Sequence, residues 1–522
     1  MSESKQTWGK QNIVKLIPVV IFIGLSLFLH IYRISEVPRG IYIDEMAMAY
    51  DSWSLGNFGV ERHLSSWPLY LNNCGGGQSV LYCYLDMPLL MIMGITPVAI
   101  RIPSIIFSML ACICGYRLIK RQLGYRAGVI YLALFTLFPY FTMAGRIGLD
   151  CNLMLGLSVL MLDVLHKAIL SKKRSLYVWT GVIAGVTLYS YALSYLILPM
   201  FFVLAIAMLL WMRRIRIMDI VALLLPVVIL GTPLLIVQII NLFDLPELKL
   251  GVITFTKQID YRAGEVGFGH IWENVHGLYR CIFKTDISEF SNFKGYSNLY
   301  PVSVPFLALG AVLSIVKFVK NLIRRRFDIS DFVTVYVGCV VAIALLLDGI
   351  LTYRINSIFF GLAYMIVFAM EWLITTLKKW GIGICGLAAI AYIIYFGSFS
   401  NYYFNVYPDD IYPQRLFGEN PVPALEYVHS LGDDIGNRRI FLGGINEAYL
   451  HYLAYTQTSP YDYDLEKNGN IGTDELVFYA PTPYDIHSNY VMYLPDEEEK
   501  AGLSELGFEC TQMGPFYIYI NY

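Results

Sequence analysis

The chain has 522 residues, 57% of them hydrophobic and only 15% charged, whereas soluble proteins carry roughly 25% charged residues. A formal net charge of −2 gives no electrostatic footprint for nucleic acid, and the apolar excess excludes a single soluble core. The composition, with 40 Tyr and 30 Phe, is that of a polytopic membrane protein.

A spanning helix needs about 20 mostly apolar residues. The first such run, Leu16 to Tyr32, follows Lys5, Lys10 and Lys15 as the core of a signal peptide would. His30-Ile-Tyr-Arg33 stands where a small-residue cleavage site would be needed, so the run is predicted to remain as a first span, 13–33. Segment 34–100 then reads as a long structured loop. Asp44 opens a helix in it, Gly75-Gly76-Gly77 marks a tight bend, and Trp53, Trp67, Tyr70 and Tyr82 suit an interfacial lie. Further spans are predicted at 101–119, 127–145, 150–168, 176–192, 194–212, 217–240, 302–320, 332–350, 355–377 and 380–398.

The run 79–95 decides the topology. If it spans, Lys120-Arg121 and Lys172-Lys173-Arg174 fall outside. If it lies in the outer interface, as Asp86 and Pro88 favour, these clusters join Arg213-Arg214, Arg216, Arg324-Arg325-Arg326 and Lys378-Lys379 on the cytoplasmic side. The second choice predicts about eleven spans plus juxtamembrane helices, with the N-terminus cytoplasmic. Outside lie loop 34–100, a second large loop at 241–301, and the tail. The transmembrane domain takes 1–400 and the extracytoplasmic domain 401–522. The tail is predicted as a small α/β domain, with strands at 438–443, 490–494 and 516–520 and helices at 446–456 and 496–506. No internal repeat is visible. The nine cysteines have no zinc spacing, and Cys74, Cys83, Cys281 and Cys510 fall outside, where a disulfide is chemically allowed.

Several polar groups gather on the outer face. Asp44-Glu45 suits a helix N-terminus, and a carboxylate held there stays ionised and oriented. Arg146 and Asp150 lie four apart at the start of a span, spaced for a helical ion pair. Arg354 opens a late span, either as an interfacial anchor or as a planar fork for a phosphate. Arg262 and His276 lie in the second large loop, and Gln78, Tyr82 and Asn356 are further polar candidates for a cavity wall. Asp163 and His166 give only two ligands at the cytoplasmic end of a span and read as an interfacial pair. Gly75-Gly76-Gly77 lacks the Lys-Ser/Thr of a phosphate loop, and no serine-hydrolase elbow or zinc-protease motif occurs.

In their order and sidedness, Gly40-Ile-Tyr-Ile-Asp44-Glu45, Ala99-Ile-Arg101-Ile-Pro103-Ser104, Gly145-Arg146-Ile-Gly-Leu-Asp150 and Arg354 resemble the GT-C superfamily of membrane glycosyltransferases. The similarity is to its protein-mannosyltransferase-like and aminoarabinose-transferase-like branch and covers roughly 13–400. The resemblance implies a mainly α polytopic fold and an inverting glycosyltransferase. Its donor would be a polyprenyl-phosphate sugar, and its acceptor a glycan, lipid or protein at the outer face. Asp44, Glu45 and Asp150 would be the catalytic carboxylates, and Arg354, Arg146 and Arg262 the phosphate-binding residues. Gln78, Tyr82, His276 and Asn356 would line the acceptor cavity. No cofactor is required, and a divalent metal stays open. Where many relatives carry a Pro-Pro-Leu-Tyr-like stretch, this chain has Gly75-Gly-Gly-Gln78-Ser-Val-Leu-Tyr82. A basic residue found there in some relatives is missing, so its phosphate role must pass to Arg354 or Arg262. A ligase or polymerase using a lipid-diphosphate donor, and a lipid or sugar transporter, are the alternative functions.

Overall fold

The computed structural model describes residues 2–73, 76–259, 266–284, 295–432, 438–469 and 471–522. The chain is a mainly α-helical, multi-pass membrane protein with a small C-terminal sheet domain. Helix α1 (Ser2–Ile31) leads to a two-residue strand β1 (Ile41–Tyr42), helix α2 (Ile43–Phe58), the hairpin β2 (Tyr70–Asn73) and β3 (Gly76–Ser79), and helix α3 (Leu81–Met93). Then come α4 (Pro97–Leu123), α5 (Tyr125–Leu137), α6 (Pro139–Ala144), α7 (Asp150–Ser171), α8 (Arg174–Leu188), α9 (Ser194–Trp211) and α10 (Ile217–Leu242). The loop between α10 and the next long helix holds a hairpin, β4 (Leu248–Leu250) and β5 (Ile253–Phe255), and helix α11 (Ile271–Phe283). Helices α12 (Val304–Arg324), α13 (Ile329–Leu346), α14 (Ile358–Leu377) and α15 (Lys379–Asn405) complete the membrane part.

Every predicted span is helical, and eight helices among the described residues are long and apolar enough to cross a membrane by themselves. The other three predicted spans are α5 with α6, α8, and α13. Pro139 breaks the first of these, because it supplies no N–H and takes the first position of the next helix. The run 79–95 forms α3, whose 13 residues reach only about 20 Å, short of the roughly 30 Å hydrocarbon core. α3 packs against α2 and α4. Its Asp86 is buried with no hydrogen-bond partner on either oxygen. Burial raises its carboxyl well above the ordinary range, so Asp86 is held neutral.

The tail contains α16 (Ile411–Leu416), β6 (Phe417–Gly418), α17 (Val422–Ser430), β7 (Arg439–Gly443), α18 (Ala448–Thr456), α19 (Leu465–Asn468), β8 (Leu476–Val477), β9 (Ser488–Tyr493), α20 (Glu497–Glu505), β10 (Glu509–Met513) and β11 (Phe516–Ile520). Its five-stranded sheet runs β10-β11-β9-β7-β8, with β7 parallel to both neighbours and β11 antiparallel to both of its own. One apolar cluster joins this sheet to α2: Met46, Tyr50 and Trp53 pack with Leu450, Leu453 and Tyr449. β6 pairs antiparallel with β1, so the tail adds a strand to the loop after α1. Cys83 and Cys510 are free thiols, Cys281 is buried, and Cys74 lies outside the described residues.

Candidate active site

Asp44 and Glu45 open α2, where carboxylates suit the exposed N–H groups of a first turn. The two acids meet different neighbours. Glu45 is fully buried. Its Oε1 accepts from Arg101 Nε at 3.2 Å and from the Gly148 amide at 2.6 Å, and its Oε2 from the Tyr42 amide at 2.9 Å. Arg101, also fully buried, donates to the carbonyls of Ile34, Pro38 and Gly40 at 2.7, 3.1 and 2.7 Å. Glu45 therefore joins α2, α4 and the 145–149 turn. Asp44 instead lines a cavity and accepts from Asn73 Nδ2 at 3.3 Å.

Asp150 is the first residue of α7. Its Oδ2 accepts from the Ser79 amide at 3.0 Å and its Oδ1 from the Cys151 amide at 2.7 Å. The first bond latches the β2–β3 hairpin onto α7 and carries Asn73 and Gln78 to the cavity wall. The 145–149 turn reaches this position because its glycines allow close approach. A Cβ on Gly148 would stand 2.7 Å from the Ile100 carbonyl oxygen, and one on Gly145 2.3 Å from the His30 ring.

The cavity has a volume of about 810 Å³. Asp44, Asn73, Gln78, Asp150, Tyr353 and Arg354 line it, together with the tyrosines 42, 70, 191 and 195. The loop between α10 and α12 contributes Gln258 and Val266, and the tail contributes Asn446 and Glu447. Arg354 sits in a 3-10 turn just before α14, with Nη1 3.4 Å from the Asp348 carbonyl oxygen. It is the sole Lys or Arg lining the cavity among the described residues, against the carboxylates Asp44, Asp150 and Glu447. No third His, Cys, Asp or Glu groups with Asp44 and Asp150 in metal-ligand fashion among the described residues, and both Asp150 oxygens already accept backbone N–H groups.

Of the sequence candidates, Asp44, Asp150, Arg354 and Gln78 meet at the cavity, and five others do not: Glu45, buried against Arg101, and Arg146, Tyr82, Asn356 and His276. Arg146 is fully buried and makes no pair with Asp150. Its guanidinium donates to the carbonyls of Leu29, His30, Arg33 and Val37, the last at 2.6 Å. The carbonyls of Leu29 and His30 belong to the last turn of α1, where the helix itself supplies no donor, and one guanidinium has enough N–H groups to serve them together with Val37. Tyr82 is buried, with its hydroxyl donating to the Ile100 carbonyl at 2.6 Å. Asn356 is buried behind the cavity, and its Nδ2 donates to the Cys151 carbonyl. His276 is exposed on α11, its Nδ1 3.0 Å from the Trp272 carbonyl oxygen. Arg262 lies outside the described residues. Asn73, Gln238, Gln258, Tyr191, Tyr195 and Glu447 were missed by the sequence reading. Only Glu447 carried a signal, as a charged residue at the start of the predicted tail helix 446–456; in the structure it precedes α18 with a left-handed backbone, φ 48°.

Behind the hairpin lies a second polar cluster. Asp51, Glu61 and Arg62 are all buried, at 1%, 2% and 4% exposure. Arg62 Nη2 is 3.3 Å from Asp51 Oδ2, and the Arg62 amide donates to Asp51 Oδ1. Glu61 accepts from the amides of His63 and Ser65. Burial, and then the Asp51 charge, raise the Glu61 carboxyl, while burial raises Asp51 against the pull of Arg62.

Residues 79–236 match the family model described as dolichyl-phosphate-mannose-protein mannosyltransferase. No curated protein matches the chain. The crystal structure of ArnT from Cupriavidus metallidurans bound to undecaprenyl phosphate is similar, with a TM-score of 0.54 at 12% identity over 97% of this chain and 98% of that one. The same protein in the apo state gives 0.53 at 11% identity over the same shares. Archaeal oligosaccharyltransferase AglB from Archaeoglobus fulgidus, in complex with an inhibitory peptide and a dolichol-phosphate, gives 0.46 at 13% identity over 98% of this chain and 74% of that one. The chain shares the fold of ArnT, and residues 79–236 carry the match to the mannosyltransferase family model.

Proposed function

We propose that this chain is an inverting glycosyltransferase. It moves a sugar from a polyprenyl-phosphate donor to the hydroxyl of a glycan, lipid or protein acceptor at the outer membrane face. One observation carries the reading: two carboxylates and one arginine, supplied by α2, α7 and the turn before α14, line a single cavity at the ends of membrane helices. The fold neighbour ArnT, crystallised with undecaprenyl phosphate, supports a lipid-phosphate donor for the same fold.

In the reaction, Asp44 accepts the proton of the acceptor hydroxyl as that oxygen attacks the anomeric carbon. The bond from this carbon to the phosphate oxygen breaks on the opposite side, and its electron pair leaves with the lipid phosphate. Arg354 stabilises the phosphate charge with its planar fork. Asp150 has both oxygens engaged by backbone amides, so it serves as a latch while Asp44 handles the proton. One lining cation among the described residues suits a monophosphate better than a diphosphate. The ionisable groups cluster at one end of the helices, whereas a transporter commonly sets them near the midplane.

The test is transfer from labelled polyprenyl-phosphate sugars by purified protein. Asp44→Asn should fold and bind donor but lose about 10²- to 10⁴-fold in turnover. Full turnover by folded Asp44→Asn would overturn the assignment of the base.

A further inference from the structure

The buried Asp51–Arg62 pair touches the cavity wall through one residue. Arg62 Nη2 donates to Asn73 Oδ1 at 2.9 Å and to the Asn72 carbonyl at 2.8 Å. On its other side, Asn73 Nδ2 donates to Asp44 Oδ1 at 3.3 Å and to Gln78 Oε1 at 2.8 Å. An asparagine amide can normally be turned over, which exchanges donor for acceptor. Here it cannot, because a guanidinium only donates. The oxygen of Asn73 must face Arg62, and its two N–H bonds must then face the two acceptors, Asp44 and Gln78.

We propose that Arg62 and Asn73 form a positioning relay for Asp44, in which Arg62 fixes the Asn73 amide and Asn73 orients the Asp44 carboxylate and keeps it ionised. The relay rests on the reading of Asp44 as the base. Asp51 holds Arg62 from behind through the ion pair and the backbone amide, with Glu61 and His63 beside it on the same segment. Burial gives this anchor its stiffness: Arg62 has little room to leave a pocket in which its exposure is 4%. A carboxylate that accepts a hydrogen bond in its charged form titrates lower. Asn73 therefore lets Asp44 remain a base at lower pH and aims its other oxygen into the cavity. The β2–β3 hairpin, held to α7 by the Ser79–Asp150 bond, sets the distance over which the relay acts.

The experiment reads Asp44 directly. Full-length protein in detergent is labelled with a carbodiimide and an amine across a pH series, and Asp44 modification is followed by mass spectrometry. Asn73→Ala should raise the labelling midpoint of Asp44 by about 0.5–1 pH unit, the worth of one hydrogen bond to a charged acceptor. Asn73 stands at the cavity wall, so the variant should fold. Arg62→Gln should raise the midpoint in the same direction, and in the Asn73→Ala background it should add nothing. Asp44 also faces Asp150, Arg354 and Glu447 around the cavity, and these residues are the same in every variant, so their own titration is common to all the curves compared. An unmoved midpoint in Asn73→Ala overturns the relay, and additive shifts overturn the coupling. Where transfer is measured, the acidic limb of kcat/KM should move with the labelling midpoint. Full activity in Asp44→Asn with a shifted midpoint would instead overturn the functional reading and leave the relay standing.

Discussion

Asp44 and Glu45 are neighbours of one charge type, and only their surroundings separate them. The step of about 100° between adjacent helix residues divides their directions, so Glu45 goes to the buried Arg101 while Asp44 goes to the cavity. Arg146 and Arg354 divide in the same way, the first enclosed by carbonyls and the second half-exposed at the cavity. If Arg354 clamps the lipid phosphate, Arg354→Lys should raise the KM for donor, and Arg354→Ala should raise it further. Loss of a charge-assisted pair predicts about 10- to 100-fold for the alanine variant. Acceptor KM and thermal stability should stay near wild type, because a residue at the end of a span has water available. Unchanged donor kinetics in Arg354→Ala would make it an anchor only. The sequence disclosed which residue types stand at the outer face. It could not disclose which of two adjacent acids, or of several arginines, has its hydrogen-bonding capacity already filled. That depends on carbonyls such as Val37 O, brought from more than a hundred residues away.

The elements were legible wherever a periodic pattern ran long enough to be read. All the predicted spans appear as helices, and in the tail the strands predicted at 438–443, 490–494 and 516–520 appear at 439–443, 488–493 and 516–520. Shorter pieces escaped. β8, β1 and β6 have two residues each, too few for an alternation, and β6 exists because β1 offers it a partner. The break between α5 and α6 carried a signal in Pro139, yet the run around it was predicted as one span. The element with the clearest stability role is the end of α1, whose carbonyls Arg146 gathers. Arg146→Met keeps the length of the side chain and removes every donor. It should leave several buried carbonyls unpaired at about 1–3 kcal/mol each, a loss on the order of 3 kcal/mol or more in total. Thermal unfolding in detergent should fall by several degrees, and the fraction still folded should keep its donor KM. A Tm equal to wild type with weakened donor binding would return Arg146 to the phosphate site.

At the scale of the whole molecule, the two-residue pairing of β1 with β6 constrains the topology more than any single helix does. Residues 41–42 and 417–418 hydrogen-bond to each other, so they lie on one side of the membrane, and an even number of crossings must separate them. Seven of the eight long apolar helices lie between them, which is odd. Adding α5 with α6, α8 and α13 makes ten, and adding α3 as well would break the parity. The helix count and the basic loops therefore agree. Lys120-Arg121, Lys172-Lys173-Arg174, Arg213-Arg214, Arg324-Arg325-Arg326 and Lys378-Lys379 all fall at the ends of helices remote from β1, the side that the positive-inside rule assigns to the cytoplasm. We expect loop 34–100, the cavity and the tail to face away from the cytoplasm, so that donor, acceptor and tail domain meet in the outer compartment. A reporter that is active only outside the cytoplasm, fused after Tyr522, should be active, and a fluorescent reporter that matures only in the cytoplasm should stay dark at the same position. Fusions after Lys173 and Arg325 should give the opposite pair of signals. Cytoplasmic signal at Tyr522 together with outer signal at Lys173 would invert the orientation or, with the N-terminus cytoplasmic, require α3 to cross the membrane, against its 13-residue length. Cytoplasmic signal at both would leave an even number of crossings after Lys173, so one of the seven helices counted between α8 and α15 would not cross.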